Sequence, residues 1–359
     1  MTKIDKGLLT GIEFFIVHLC VELICFATLR HHFPLEMSGI IALFFDLFAF
    51  VPQAFFGEFM DKHRNIPSGT IGTVLLGAGV VISTLPISIM KMTGIIIMAA
   101  GNAILHEQGA LKTVANGNGK IFPSALFVAG GSFGLVTGQT MGKFGVSLLW
   151  LIIPFIIIEL LIVLTGRLDE DTTYPEFNCV RFGKMNTDSP KFPVELIILA
   201  AFTVTAVRSF IGYAIPISWK KEVWQDFLLF FVMGIGKAAG GYFADRFGVR
   251  TTGVLSTVIS IPFLIVGAEN MIISVVGVCL FSMTMCITFE MILSVLPENP
   301  GLSFGITTLA LFLGIAPVFF VRPEKTACTV MVIVFSLLCA LMILFTCKNN
   351  TSKNIAHNN

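Results

Sequence analysis

The chain is a succession of apolar stretches, each about 20 residues long, parted by short breaks that hold nearly all of its charge. That pattern leaves few folds. Lipid offers no hydrogen bonds to a backbone, so a stretch of this length must satisfy its own N–H and C=O groups as a helix. The composition agrees, because 55% apolar residues, 13% charged residues and a mean hydropathy of +0.89 lie outside the range of soluble domains. A formal net charge of +1 supplies no basic surface, so no nucleic-acid partner is expected. Cys20, Cys25, Cys279, Cys286, Cys328, Cys339 and Cys347 fall within or at the edge of apolar runs, where cysteine acts as a small hydrophobe rather than as part of a disulfide framework. The charged opening leads straight into the first run, which reads as a spanning helix and not as a cleaved signal.

Cut at its charged and Pro/Gly-rich breaks, the chain predicts an all-α integral membrane protein of twelve spans. The first six are 7–29, 37–57, 68–88, 93–112, 122–142 and 145–165. The second six are 193–217, 224–244, 251–268, 271–294, 302–321 and 327–347. These divide into an N-terminal bundle over 1–165, a hydrophilic linker over 166–192, a C-terminal bundle over 193–348 and a tail over 349–359. With the N-terminus inside, inner loops carry 14 of the 23 Lys and Arg and outer loops seven. That bias places both termini in the cytoplasm.

Two loops about 180 residues apart say nearly the same thing: GEFMDKHRN over 57–65 and GYFADRFGVR over 241–250. Each follows an apolar run and lies between the second and third span of its half, as expected of a duplicated bundle. With these loops in place, the chain resembles the major facilitator superfamily over essentially its full length. Gly241, Asp245, Arg246, Gly248 and Arg250 match that family's loop pattern. Gly57, Asp61, Lys62 and Arg64 keep most of it, but His63 and Arg64 stand where a glycine belongs, so the second copy is expected to be the better-formed conformational latch. The physical expectation is an aspartate that caps the N-terminus of the following helix and pairs with a nearby arginine. Further segments, GNAILHEQGA over 101–110, PSALFVAGGSFGLVTGQ over 123–139 and LPENPGLSFGITTLALFLG over 296–314, look like a little-characterised bacterial branch of the superfamily. His18 and Glu22 add some similarity to fosmidomycin-resistance-type exporters. The resemblance implies two pseudo-symmetric six-helix bundles, a bacterial cytoplasmic membrane, and a monomeric secondary transporter without cofactor or resident metal.

Ionisable residues inside the spans are where chemistry is expected, since a charge at the bilayer centre costs at least about 2.5 to 3.5 kcal/mol. His18 and Glu22 are four apart and share a helix face, as do Asn102 and His106, and Asp46 and Gln53 are seven apart. The second half offers Arg208, Lys237 amid Gly234, Gly240 and Gly241, and Glu290 nearer a helix end, where it could snorkel. Acids and imidazoles thus gather in one half and bases in the other. The expectation is a charge couple across a central cavity, with the coupling proton on Glu22 or Asp46 and His18 or His106 as relay. Arg208, Lys237, Gln53, Asn102 and Glu290 are then candidates for binding a small organic solute, anionic or amphipathic, with export favoured by the first-helix resemblance. Uptake symport and divalent-metal transport use the same fold, although Arg208 and Lys237 would repel a metal. An intramembrane metal-dependent hydrolase built on His18, Glu22, Asp46 and His106 is the rival from another class. The glycines of the fifth span, Gly130, Gly131, Gly134, Gly138 and Gly142, read as a helix-packing surface.

Overall fold

The computed structural model describes residues 5–33, 35–170, 192–321 and 323–347. Most of the expected linker and the tail, 171–191 and 348–359, lie outside them. Every regular element among the described residues is helical. The first half comprises α1 (Lys6–His32), α2 (Leu35–Phe50), α3 (Gln53–Lys62), α4 (Ser68–Ser83), α5 (Ser88–Asn116), α6 (Phe122–Lys143) and α7 (Ile152–Glu170). The second comprises α8 (Val194–Ala214), α9 (Val223–Phe247), α10 (Val249–Gly267), α11 (Met271–Ser282), α12 (Thr284–Leu293), α13 (Pro300–Ile315) and α14 (Lys325–Thr346). Among the described residues nine helical stretches are long and apolar enough to cross a membrane, and α4 and the start of α7 lie in shorter apolar helices.

Two expected spans are broken. The span over 37–57 divides at Val51 and Pro52 into α2 and α3, because Pro52 has no N–H to continue the ladder. Asp46 and Gln53 therefore belong to different helices, and their seven-residue spacing does not place them on a common face. The span over 271–294 divides at Met283 into α11 and α12 without a proline. There the hydroxyl of Thr284 donates back to the Phe281 carbonyl at 2.9 Å, a local bond of the kind that bends helices. At the end of the first half, α7 continues to Glu170, into the stretch read as linker.

Small residues set the packing. A Cβ added at Gly130, Gly134 or Gly138 of α6 would lie 2.1 to 2.4 Å from the carbonyl oxygens of Phe15, Leu19 and Leu23, so α6 rides directly on the backbone of α1. Between the halves, α3 lies along α13 and α9 along α6. One apolar cluster crosses that boundary: Phe14, Phe45, Leu105 and Phe127 of the first half are continuous with Met285, Phe289 and Phe304 of the second.

Candidate functional site

The duplicated loops meet the opposite half. Asp61, at the end of α3, accepts from the backbone N–H groups of Gly301 at 3.0 Å and Leu302 at 2.9 Å, the first turn of α13. Asp245, at the end of α9, accepts from Ile121 at 2.8 Å and Phe122 at 3.0 Å, where α6 begins. Each aspartate thus caps a helix N-terminus across the boundary and not the helix that follows it, the arrangement expected from sequence. The glycine one turn earlier makes the approach possible: a Cβ on Gly57 would stand 2.3 Å from the Gly301 carbonyl carbon, and one on Gly241 2.4 Å from Ala125. Negative charge at a helix N-terminus, with two free donors satisfied, is worth up to about 2 kcal/mol in partly buried settings.

The copy that departs further from the loop pattern is the more deeply set. Asp61 is 8% exposed, whereas Asp245 is an exposed residue. Arg64 adds to the first contact by donating to the Asp61 carbonyl at 3.1 Å and, across the boundary, to the Glu298 carbonyl at 3.1 Å. Lys62 turns away to pair with Glu58 at 2.6 Å. In the second loop Arg246 lies over the Phe247 ring at 5.8 Å, and Gly248 adopts φ 89°, the left-handed backbone that favours glycine between α9 and α10. Arg250 makes no hydrogen bond or ion pair among the described residues.

Deep in the first half, α1 and α5 bring His18, Glu22, Asn102 and His106 together, all buried. His18 Nδ1 lies 2.8 Å from the Phe127 carbonyl oxygen, and His106 Nδ1 lies 2.8 Å from the Asn102 carbonyl oxygen. A carbonyl can only accept, so each Nδ1 carries a hydrogen, and a neutral ring then presents a lone pair at Nε2. The two Nε2 atoms are 2.7 Å apart. Glu22 Oε1 is 3.3 Å from His106 Nε2 and 3.9 Å from His18 Nε2, and it accepts from Asn102 Nδ2 at 2.9 Å. These three donor atoms are a possible metal-ligand set. Asp46 is half-buried on α2 and makes no hydrogen bond among the described residues.

Lys237 and Arg208, the bases inside the second half's spans, are in no ion pair among the described residues. Lys237 reaches across the boundary from α9, but it donates to the Ser132 hydroxyl of α6 at 2.9 Å. Arg208 stays inside its own half, where Nε donates to the Thr284 hydroxyl at 2.8 Å and the guanidinium lies over Phe281 at 5.7 Å. Among the described residues neither is within ion-pair distance of a carboxylate, so the expected charge couple is not closed in this conformation. Gln53 is buried at the start of α3 with its amide donating to Ala49, and its oxygen meets no donor among the described residues. Glu290 is buried within the bundle, 3% exposed, and does not snorkel to an interface.

Sequence reasoning passed over Glu107. It is fully buried on α5, and neither carboxylate oxygen has a hydrogen-bond partner among the described residues. It sits against the first latch, since a Cβ on Gly57 would lie 2.8 Å from Glu107 Oε2. An acid inside an apolar span was the available signal, masked by its place beside His106.

No protein-family model matches the chain, and no curated protein does. Solved structures do. The fold is that of major facilitator superfamily transporters. FucP, the E. coli fucose:proton symporter, in its outward conformation is 16% identical, with 96% of this chain and 98% of that one aligned at a TM-score of 0.63. The human organic anion transporter MFSD10 is 14% identical over 95% of this chain and 100% of its own, at a TM-score of 0.66. A bacterial homologue of the iron transporter ferroportin, outward-facing, is 15% identical over 94% and 98%, at 0.56. The chain is therefore an all-α, multi-pass membrane protein of that fold.

Proposed function

We propose that the protein is a secondary active transporter that works by alternating access. The observation that carries this reading is the pair of cross-boundary latches, in which each half grips a helix N-terminus of the other through a Gly and an Asp one turn apart. Contacts of about 1 to 2 kcal/mol each are strong enough to hold one end closed and weak enough to be broken when the halves rock. In this reading Gly57, Asp61, Arg64, Gly241 and Asp245 form the latch, with Gly248 setting the turn after α9. The excess of Lys and Arg in the loops at the latch end makes that end cytoplasmic, with both termini inside a bacterial cytoplasmic membrane.

The substrate in this reading is a small organic solute, anionic or amphipathic. Arg208 is buried and Lys237 half-buried, and both are held by hydroxyls and not by carboxylates, so both keep charge to offer a ligand. Gln53, Asn102 and Glu290 supply further polar contacts. The coupling ion is a proton, and we assign it to Asp46, which has no hydrogen-bond partner of its own among the described residues. Export is the direction we favour, on the first-helix resemblance. The protein works without catalysis, as a monomer.

A thermal-shift screen of small organic acids and amphipathic compounds identifies a ligand, and its flux is then measured in proteoliposomes under an imposed pH gradient. Flux is expected to follow the gradient and to lose that dependence in Asp46→Asn while substrate exchange persists. Lys237→Met is expected to weaken binding at least about tenfold. A ligand that binds the wild-type protein but never crosses the membrane overturns the transport reading in favour of a sensor.

A further inference from the structure

His18, Glu22 and His106 offer more than a proton relay requires. Both imidazoles are fixed from behind by carbonyl oxygens at 2.8 Å, the outer-shell device that orients metal-ligating histidines and fixes the tautomer. Glu22 is fixed likewise by the Asn102 amide at 2.9 Å. What these bonds leave over in neutral rings is three electron-pair donors, His18 Nε2, His106 Nε2 and Glu22 Oε1, converging in a buried space. Two imidazole lone pairs 2.7 Å apart repel unless a shared proton or a metal cation lies between them, and a carboxylate beside both favours the greater charge of a metal.

From this geometry we infer that His18, Glu22 and His106 bind a divalent transition cation of the Zn2+ class. Two imidazoles and one carboxylate make a borderline donor set that suits such an ion better than Mg2+ or Ca2+. Atoms around a tetrahedral Zn2+, with bonds of about 2.0 to 2.1 Å, stand about 3.3 Å apart. The three separations here, 2.7, 3.3 and 3.9 Å, straddle that figure, so seating the ion needs shifts of only a few tenths of an ångström per atom. The surroundings are shaped for the ring. A Cβ on Gly131 would fall 2.4 Å from His18 Nε2, so α6 is bare where the donor atom lies. Three protein ligands leave the fourth position for water or a solute group.

The experiment uses the full chain in nanodiscs, stripped with a chelator and titrated with Co2+ and then Zn2+. One Co2+ per chain is expected, with the visible absorption of a tetrahedral site and without a sulfur-to-metal charge-transfer band. Zn2+ is expected to displace it and to raise the Tm. His106→Gln and Glu22→Gln, each checked for folding by size exclusion and Tm without metal, are expected to lower affinity at least about tenfold, while Glu269→Gln, in an exposed ion pair with Lys325, leaves it unchanged. Absence of the tetrahedral spectrum, a thiolate band from the cysteines, or full affinity in folded His106→Gln overturns the assignment. Binding is read without any flux, so its failure leaves the transport reading standing, and the reverse holds too.

Discussion

Gly131 has no side chain because the His18 imidazole occupies the place where one would go. Ala in place of Gly inside a helix ordinarily gains about 1 kcal/mol, so the sign of the change reports the collision. Gly131→Ala is expected to lower the Tm and abolish Co2+ binding. Gly166→Ala, where nothing lies within 4 Å on α7, is expected to raise the Tm slightly. Asp5 makes a different case at the same scale. It caps α1 through Gly7 at 3.1 Å, and its carboxyl is held below the usual carboxylate value by the hydrogen bond from Lys120. A depressed value means that the stabilisation is fully present above the unfolded carboxyl's range and is lost as pH falls through the lower folded value. Thermal unfolding of the wild type and Asp5→Ala is therefore expected to differ by a constant, small amount from pH 5.5 to 8 and to converge only in stronger acid. The residue types of the buried cluster were legible, because His18 with Glu22 and Asn102 with His106 are helical i, i+4 pairs. That the two pairs meet was not, since no spacing along the chain states which faces of α1 and α5 oppose.

At the scale of elements the latch shows where a sequence pattern and a structure part company. Gly, three residues and Asp read correctly as a glycine and a cap one turn apart, but the pattern does not say which helix is capped. Both partners, α6 and α13, begin with a proline in their first turn, which needs no intrahelical donor there. Ranking the copies by their match to the pattern puts the second first and ranking them by burial puts the first first, because the match counts residue types and not shielding from water. Asp61 is shielded and reinforced by Arg64, and Asp245 competes with water. Asp61→Asn is accordingly expected to cost the closed conformation about 2 kcal/mol and Asp245→Asn about 1 kcal/mol, measured as the shift in its population. Equal or reversed costs would remove burial as the explanation. The broken spans tell a similar story. Pro52 was a visible cause for the α2–α3 break, whereas the bend at Met283 depends on a hydroxyl choosing a local carbonyl in a run that reads as one uniform helix.

For the whole molecule the decisive property is that the latches are two, related by the duplication and held by different pairs of helices. If the halves rock as rigid bodies, as proposed, neither contact can open without straining the other, and both break in the same transition. Their energies should then act on one equilibrium, and, because Asp61 and Asp245 contact different helices with no shared partner, they should add. Spin labels at the exposed positions Lys62 and Arg246, in a background with the cysteines replaced, report the separation of the halves at the latch end. Asp61→Asn and Asp245→Asn should each move population from the short to the long distance, and the double variant should show the sum of the two free energies within about 0.5 kcal/mol. A double variant no more open than Asp61→Asn would mean that the second latch releases in a separate step, and the halves would then not move as rigid bodies. The same measurement tests the uneven division of charge. If Lys237 and Arg208 serve a ligand and do not lock the halves, Lys237→Met should leave the distance distribution of the apo protein nearly unchanged, since it removes a single hydrogen bond to Ser132 and no ion pair.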